Sequence, residues 1–560
     1  MRPLHVLLLL ATSLQAQDAD VVLYGRVWTG DSARPWAEAV AARGDRILAV
    51  GGGSDVAMHV TPRTRVIQAG GRFVMPGFID NHTHFAQAGA LLLGVNLLDV
   101  NDDAALVRRV REAQNRLPAD AWMTGGDWGA YAAWGRGSTG RRTEEPALWR
   151  PHRATIDSIT PAMPVLLGKW DRSEFLANGA ALNAARIGCD VTGVECERGV
   201  PTGRLTPAAA ARVRAAMPPK GFVQRLAEAR AGLADLLQHG VTTIHDNTGP
   251  EQFAVYQALL ERGELTVRVY ARPTLDRQAA LRQVGIVRGF GDEWIRYGGL
   301  KGFVDGIMGN SSARFYEPYL TSGRRGDWRT MMTDAPGMLP LLLGADSAGY
   351  WPQVHAIGDE AIDTLLTMFE HVMRVNPPRE RRWRVIHTQV IRGPEVAARM
   401  ARLGVIAEVQ PYHAIDDMRW MEQRIGARSR WAYAFNTLQR AGVRLSFGSD
   451  WPGTNASWYT SNPMHGIYAA VTRQTLDGQP AAGWFPEERV DVATALRAYT
   501  VNNAWAAGEE HLKGMLRPGL LADIVVLSDN PMTAPPARLR DIRPILVVLG
   551  GRVLLERLAQ

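Results

Sequence analysis

Three stretches in the middle of this 560-residue chain repeat one pattern, in which an amphipathic segment ends at a glycine and a short apolar run follows. The spacing of the apolar residues predicts helices over 222–239, 394–403 and 435–441. Each helix ends beside a glycine, and the runs that follow, VTTIHD, VIAEV and VRLSF, are typical of buried strands. Helix and buried strand in alternation predict an α/β protein with a parallel sheet.

A chain of this length has room for one (β/α)₈ barrel of about 250 residues, with an insertion and a second small domain. We predict eight barrel strands near 77–81, 164–168, 241–245, 299–304, 351–355, 384–387, 405–409 and 443–448. The stretch between the first and third strands is longer than two βα units need, so we predict an insertion around 85–235. Short β-rich runs at both ends predict one β domain from residues 17–75 and 508–560, which leaves 76–507 for the barrel.

The first sixteen residues have the pattern of an export signal, in which Arg2 precedes an apolar stretch and small or polar residues end at Ala16. We therefore expect residues 1–16 to be removed and the mature chain to be exported, to a periplasm or to the medium. No later run reaches the length of a membrane span, so we expect no integral membrane segment in the mature chain. Cys189 and Cys196 could pair in an oxidising compartment, and two free thiols are an equal alternative.

The net charge of +7 comes from arginines spread along the chain rather than from a basic arm. Solvated surface cations explain this distribution better than nucleic-acid binding, so we expect no nucleic-acid partner. Only four of the 63 lysines and arginines are lysines, namely Lys169, Lys220, Lys301 and Lys513. Each lysine in such a chain is therefore a candidate for a specific role.

Six side chains with metal-binding chemistry lie at or just after predicted strands. They are His82, His84, Lys301, His355, His387 and Asp450. Residues i and i+2 of a strand point to the same side, so the imidazoles of His82 and His84 can reach one ion. A barrel gathers the residues that follow its strands at one end. A core histidine or an N-capping aspartate would explain each position alone, but the whole set in this order indicates a metal site.

In the order of these six residues, the chain resembles the amidohydrolase superfamily, and in particular its amidohydrolase 3 branch, which includes N-substituted formamide deformylases. The resemblance rests on PGFIDNHTH at 76–84, PTG at 201–203, Lys301 with Asp305-Gly306, VHAIGD at 354–359, Gln410-Pro411, GSD at 448–450, VTR at 471–473, YTVN at 499–502, GMLRPG at 514–519 and Ala522-Asp523. One stretch departs from the branch, because Asp171-Arg172-Ser173 precedes Asn178 where the family often has Asp-Gly-His. The departure affects the expected orientation of the substrate but not the metal ligands.

The resemblance implies a distorted (β/α)₈ barrel, a small β-sandwich built from both chain ends, and a divalent metal site that most often holds zinc. It assigns His82 and His84 to one Zn²⁺ and His355 and His387 to a second. Lys301 would bridge the two ions as a carbamate, and Asp450 would bind the first ion. A protonated amine has no lone pair for a metal, whereas a carbamate supplies anionic oxygens. An uncarbamylated Lys301 in a salt bridge beside a single ion is the alternative.

The resemblance also implies hydrolysis of a linear C–N bond in a small amide, N-acyl or N-formyl substrate. Bound ions lower the pKa of water towards about 7, and Asp450 would pass a proton to the leaving nitrogen as the catalytic acid. We expect substrate contacts from His245, Ser173, Arg473 and Trp170. For His245 a structural role is an equal alternative, for Arg473 the alternative is a helix-surface arginine, and for the tryptophans around Trp170 it is a packed core.

Ester, lactone or cyclic-amide hydrolysis at the same site is the nearest alternative, since an activated hydroxide attacks any of these carbonyls. A deaminase is disfavoured because no glutamate accompanies His355 in the usual neighbouring position, although Glu360 lies five residues on. A non-catalytic binding protein on the same scaffold is a remote alternative, because all six ligands are present. The sequence names neither the acyl group, the amine nor the oligomeric state, and a homo-oligomer stays open.

Overall fold

The computed structural model describes residues 18–97, 100–118, 120–129, 149–169, 172–453 and 460–558. The expected export signal, residues 1–16, lies outside these ranges, as does Trp170. The strands are β1 (Val21–Trp28), β2 (Trp36–Arg43), β3 (Arg46–Gly51), β4 (Arg65–Pro76), β5 (Phe78–Thr83), β6 (Val95–Asn96), β7 (Met123–Trp128), β8 (Val165–Lys169), β9 (Phe175–Ala177), β10 (Val194–Glu197), β11 (Val200–Leu205), β12 (Val241–Asp246), β13 (Arg268–Ala271), β14 (Ile295–Tyr297), β15 (Leu300–Phe303), β16 (Pro352–Ala356), β17 (Arg384–His387), β18 (Ile406–Val409), β19 (Leu445–Phe447), β20 (Ile524–Leu527), β21 (Pro544–Leu549) and β22 (Arg552–Glu556).

The α-helices of the described ranges occur mainly between these strands. They cover Gly53–Ala57, Phe85–Leu93, Asp103–Gln114, Ala154–Asp157, Gly179–Ala185, Pro207–Ala216, Phe222–Gln238, Pro250–Glu261, Gln278–Gln283, Thr330–Thr333, Met338–Ser347, Asp359–Val375, Pro394–Arg402, Pro411–Asp417, Met421–Ile425, Phe435–Arg440, Pro463–Thr472, Val492–Ala498 and Val501–Ala507. Short 3₁₀ helices cover Leu275–Arg277, Gly426–Trp431, Pro486–Glu488 and Pro536–Asp541. Among the described residues, none of these helices is both long and apolar enough to cross a membrane.

The three helices predicted from the repeated pattern are present, and each is one residue shorter than predicted. They are Phe222–Gln238, Pro394–Arg402 and Phe435–Arg440. A glycine with positive φ follows each of them, at Gly240 (70°), Gly404 (64°) and Gly442 (90°). Because a residue without a Cβ adopts this backbone conformation at little cost, glycine ends each helix where the chain turns back into a strand.

Parallel strands make up the middle of the chain, which is an α/β fold as predicted. Strands β5, β12 and β13 pair in parallel, with β14 at the edge, and β15 to β19 pair in parallel in sequence order. Isolated parallel bridges join the two sheets on both sides, between Thr274 and Lys301 and between Thr83 and Trp451. At the second junction the amide of His84 donates to the carbonyl of Trp451 at 2.8 Å.

One predicted barrel strand is wrong. The predicted strand at 164–168 corresponds to β8, which belongs to a six-stranded sheet with the order β10-β11-β9-β8-β7-β6. The strand that follows β12 in the parallel set is instead β13, which begins with Arg268. The apolar run of β8 does not indicate which sheet the strand belongs to, because buried strands of any sheet have this pattern. Strand β13 was not predicted because a charged residue, Arg268, is atypical of a buried strand.

The six-stranded sheet lies between β5 and β12, within the segment predicted as an insertion. Its apolar side chains form clusters separate from that of the parallel strands, one around Leu106 and Val165 and one around Phe175 and Val213. Cys189 and Cys196 form a disulfide here, with their Cα atoms 6.0 Å apart, so the alternative of two free thiols is not what the structure shows. The segment therefore has its own core and its own covalent link.

A seven-stranded sheet takes strands from both ends of the chain, in the order β22-β21-β20-β4-β1-β2-β3. Strand β20 pairs antiparallel with β4, and this pairing joins the C-terminal strands to the N-terminal ones. Strand β4 ends at Pro76 and β5 begins at Phe78, so this sheet continues almost directly into the strand that carries His82.

A buried ion pair connects the seven-stranded sheet with the parallel strands. Arg268 of β13 is 1% exposed and donates two hydrogen bonds to Asp523, at 2.7 and 3.0 Å, just before β20. Removal of one partner from a buried arginine–carboxylate pair typically lowers the free energy of unfolding by about 3–5 kcal/mol, because the remaining charge is left uncompensated.

We expect Asp523→Ala to lower the free energy of unfolding by about 3–5 kcal/mol, measured by urea denaturation. The control is Glu556→Ala, which removes an exposed ion pair with Arg65 and is expected to cost less than about 1 kcal/mol. Equal losses for the two variants would show that the buried pair does not hold the two sheets together.

Candidate metal centre

His82, His84 and Asp450 come together where β5 and β19 end. His82 is the fifth residue of β5, His84 follows that strand directly, and Asp450 lies three residues after β19. The amide of Asp450 donates to the carbonyl of His82 at 2.8 Å, which fixes the two segments side by side. Nε2 of His82 and Nε2 of His84 lie 3.3 and 3.0 Å from Oδ1 of Asp450.

The three side chains fit a metal ion. Their ligand atoms all lie within 4.8 Å of one another. Within the part of the chain that the structure describes, the buried Oδ1 of Asp450 accepts no hydrogen bond, although two imidazole nitrogens lie close to it. The three ligand atoms are therefore close enough together for one ion to contact all of them. Two imidazole nitrogens and a carboxylate oxygen are ligands that suit zinc and similar divalent ions.

The other ring nitrogen of His82 is held by a buried glutamate. Nδ1 of His82 lies 2.9 Å from Oε1 of Glu408, and the same oxygen accepts a hydrogen bond from Arg272 at 2.7 Å. The other oxygen, Oε2, accepts a hydrogen bond from Arg384 at 2.8 Å. Burial opposes ionisation, but the charges of Arg272 and Arg384 together with His82 hold the pKa of Glu408 well below its usual value. An ionised carboxylate only accepts, so Nδ1 donates and Nε2 keeps its lone pair for an ion.

Lys301 is buried in β15 beside the same histidine. Its Nζ lies 3.3 Å from Nε2 of His82. Burial, reinforced by the charge of Arg272, lowers the pKa of Lys301 to about 7. The neutral amine, which carbamylation requires, is therefore well populated near neutral pH.

A second group of ligand atoms comprises His387, His413 and Asp450. His387 is the last residue of β17, and its Nδ1 lies 2.7 Å from Oε1 of Gln410, which leaves Nε2 to face an ion. His413 lies in the helix Pro411–Asp417. The sequence patterns did not indicate His413, because it lies within a helix rather than at a strand end. Its only signal was the neighbouring Gln410-Pro411 match.

His355 lies beside His387 but faces elsewhere. The two ring centroids are 4.5 Å apart, yet Nε2 of His355 lies 2.9 Å from the carbonyl oxygen of Gly306. His355 belongs to neither of the ligand groups found among the described residues. Its role as a ligand of a second ion therefore stays a prediction.

Two of the candidate ligand residues have a strained backbone. His387 has φ of 73° and Asp450 has φ of 57°, in the left-handed region that residues with a Cβ avoid at a cost of about 1–3 kcal/mol. Asp80 supports the Asp450 segment, because its carboxylate accepts hydrogen bonds from the amide and the hydroxyl of Ser449 at 2.9 and 2.5 Å. Such strain is found mostly at functional sites.

The predicted substrate contacts fall in different environments. His245 is fully buried, with Nδ1 3.0 Å from Nη1 of Arg384. Arg473 is also fully buried and donates to the carbonyls of Trp484 and Tyr433, so the alternative of a helix-surface arginine is wrong. Ser173 accepts a hydrogen bond from Lys169 at 3.3 Å. The burial of His245 and Arg473 favours structural roles, and the four substrate contacts stay predictions.

An α/β fold with imidazole and carboxylate ligands gathered at strand ends is typical of a metal-dependent hydrolase. Residues 65–555 match the model of the amidohydrolase family, amidohydrolase 3 branch. The chain therefore belongs to the amidohydrolase family, as the resemblance predicted.

Named relatives extend this assignment over most of the chain. It is 32% identical over 534 residues to Protein LONG AFTER FAR-RED 3 of Arabidopsis thaliana, in an alignment covering 91% of this chain and 87% of that protein. It is 25% identical over 559 residues to the N-substituted formamide deformylase of Arthrobacter pascens, covering 96% and 98%. An uncharacterized metal-dependent hydrolase from Pyrococcus furiosus has the same fold, with a TM-score of 0.72 at 24% identity over 92% of this chain and 100% of that one. Membership of this family, together with the hydrolases among these relatives, supports the classification of this chain as a hydrolase.

Proposed function

We propose that the chain is an exported, metal-dependent amidohydrolase that cleaves a linear C–N bond in a small amide, such as an N-acyl or N-formyl compound. The observation that carries the proposal is the convergence of His82, His84 and Asp450 on one point beside Lys301. The similarity to a formamide deformylase over nearly the whole chain supports the class of bond.

We also propose that the parallel strands close as a distorted (β/α)₈ barrel formed by residues 76–507. The bridges from Thr274 to Lys301 and from Thr83 to Trp451, one on each side, support closure. Residues 17–75 and 508–560 would form a small β-sandwich that includes the seven-stranded sheet. Support for this composite domain comes from the pairing of β4 with β20.

The proposed cofactor is a pair of Zn²⁺ ions. His82, His84 and Asp450 would hold the first, and His387 would hold the second with His355, or with His413 in its place. A carbamylated Lys301 would lie between them. When bound, such ions lower the pKa of water and polarise a carbonyl group.

Asp450 is the proposed catalytic acid and base. Burial alone would raise its pKa, but the neighbouring His82 and His84 hold the pKa of Asp450 well below its usual value. The carboxylate is therefore ionised at neutral pH and can accept the proton of the attacking water. Having accepted that proton, Asp450 can deliver it to the departing nitrogen, a role typically worth about 10²- to 10⁴-fold in rate. Glu408 keeps Nε2 of His82 directed at the same point throughout.

The first experiment is elemental analysis of the purified chain together with a panel of N-formyl amides, N-acyl amides, esters and lactones, before and after chelation. We expect close to two ions per chain and amide cleavage that chelation abolishes and added zinc restores. A chain with no ion and no cleavage after zinc is restored would contradict the proposal. Faster cleavage of esters or lactones than of any amide would favour the alternative reaction instead.

We expect Asp450→Asn to lower kcat by about 10²- to 10⁴-fold, because an amide cannot carry the proton. Metal content, measured on the same preparation, should fall much less, since His82, His84 and Lys301 remain. Asp363→Asn, at a half-buried carboxylate that pairs with the exposed Arg392, is the control and should leave both quantities unchanged. A fall in kcat that only parallels loss of metal would assign Asp450 to binding alone.

We expect export to remove residues 1–16, so that the mature chain begins at Gln17. Intact-mass measurement of the protein from the periplasm or medium of a bacterial host checks this. A variant that lacks residues 1–16 should stay inside the cell. Full-length chain beginning at Met1 and retained in the cytoplasm would contradict the proposal.

A further inference from the structure

We propose that Asn247 is an additional ligand of the ion held by His82, His84 and Asp450, through its carboxamide oxygen. The inference rests on the proposed metal-dependent function and adds a residue that the sequence patterns did not indicate. Asn247 directly follows β12, the neighbour of β5, so it occupies the same level of the fold as His84.

The backbone of Asn247 is fixed beside the two histidines. Its amide donates to the carbonyl oxygen of Thr83, the residue between them, at 2.9 Å. The preceding Asp246 reinforces this placement, because its Oδ1 accepts the amide of Phe85 at 2.8 Å. Its Oδ2 accepts the hydroxyl of Tyr256 at 2.9 Å. Asn247 therefore cannot move away from the histidines without breaking several buried hydrogen bonds.

The side chain of Asn247 reaches the same point as the other ligands. Nδ2 lies 3.1 Å from Nε2 of His82 and 3.2 Å from Nε2 of His84. The other end of the carboxamide, Oδ1, is buried and has no hydrogen-bond partner among the described residues. Asp450 approaches the same two nitrogens at 3.3 and 3.0 Å. The carboxamide of Asn247 and the carboxylate of Asp450 thus both lie against the Nε2 atoms of His82 and His84.

A half-turn about the last side-chain torsion exchanges Oδ1 and Nδ2 with almost no change in shape. An NH₂ group directed at a cation is repelled, because it is the positive end of the amide dipole. The carbonyl oxygen directed there is attracted, and the same rotation moves Oδ1 out of a place where it lacks a donor. A cation at this point therefore favours the orientation in which Asn247 is an oxygen ligand.

An asparagine oxygen differs from the other oxygen donors of the site because it carries no charge. It would add one ligand without neutralising the charge of a bound ion, and that charge is what lowers the pKa of metal-bound water. It would also remain available as a ligand when the carboxylate of Asp450 carries a proton. Asn247 is therefore proposed as a binding residue that supports the proton transfer by Asp450.

The test uses Co²⁺ as the probe, because its visible absorption reports coordination geometry without any substrate. The variants are Asn247→Leu, which keeps the volume but removes the oxygen, and Asn247→Asp, which keeps it. The matched control is Asn502→Leu, since Asn502 is also half-buried and donates to the carbonyl of Leu445 at 2.9 Å. Each protein is titrated with Co²⁺ in chelator-buffered solution, and its thermal midpoint is measured with excess chelator.

We expect Asn247→Leu to weaken Co²⁺ binding by at least about tenfold, since loss even of an outer partner of a ligand costs about 10- to 100-fold. Its absorption spectrum should change, while Asn247→Asp should bind at least as tightly as the unaltered chain. Asn502→Leu should lower the thermal midpoint without altering the spectrum. An unchanged affinity and spectrum in Asn247→Leu would overturn the inference and leave the proposed function intact. No Co²⁺ uptake by the unaltered chain would overturn both.

Discussion

The carboxylate of Glu408 is the charge around which the centre of the parallel strands is organised. It neutralises Arg272 and Arg384, which come from two other strand regions, and it fixes the ring of His82 through Nδ1. None of these four side chains is more than 1% exposed. Ions buried so deeply are tolerated only when each has its partners, so the loss of one would unbalance the rest. The ring of His82, the proposed metal ligand, is thus oriented by a network of buried charges that belongs to the fold.

The local patterns predicted much of this architecture. The predicted helices differ from the observed ones by one residue, because amphipathic spacing and a terminal glycine are both local signals. The same holds for His82 and His84, since two residues on one side of a strand share a direction whatever surrounds them. Asp450 was also predicted to lie with them, because strand ends of a parallel sheet meet at one edge.

The residues that were not predicted depend on partners far away in the sequence. Strand β13 was not predicted because the charge of Arg268 is neutralised by Asp523, a residue too distant in the sequence for a local pattern to include. His413 reaches the site from a helix, so no strand pattern marks it. Glu408 did leave a signal, as a lone charge inside the apolar run VIAEV, but its meaning needed Arg272 and Arg384 beside it. A buried charged residue can be predicted from the sequence only when the residue that neutralises its charge is also identified.

Strands β4 and β5 are almost continuous, and this affects when the candidate metal centre can form as the chain folds. The strand that carries His82 extends from a sheet whose centre is completed by β20, and β20 is among the last segments to be synthesised. On the ribosome, His82 and His84 are made early, but the sheet beside them stays unfinished until almost the whole chain has emerged. The candidate metal centre is therefore completed late. If the chain crosses a membrane before it folds, as proposed, the proposed metal would bind only on the far side.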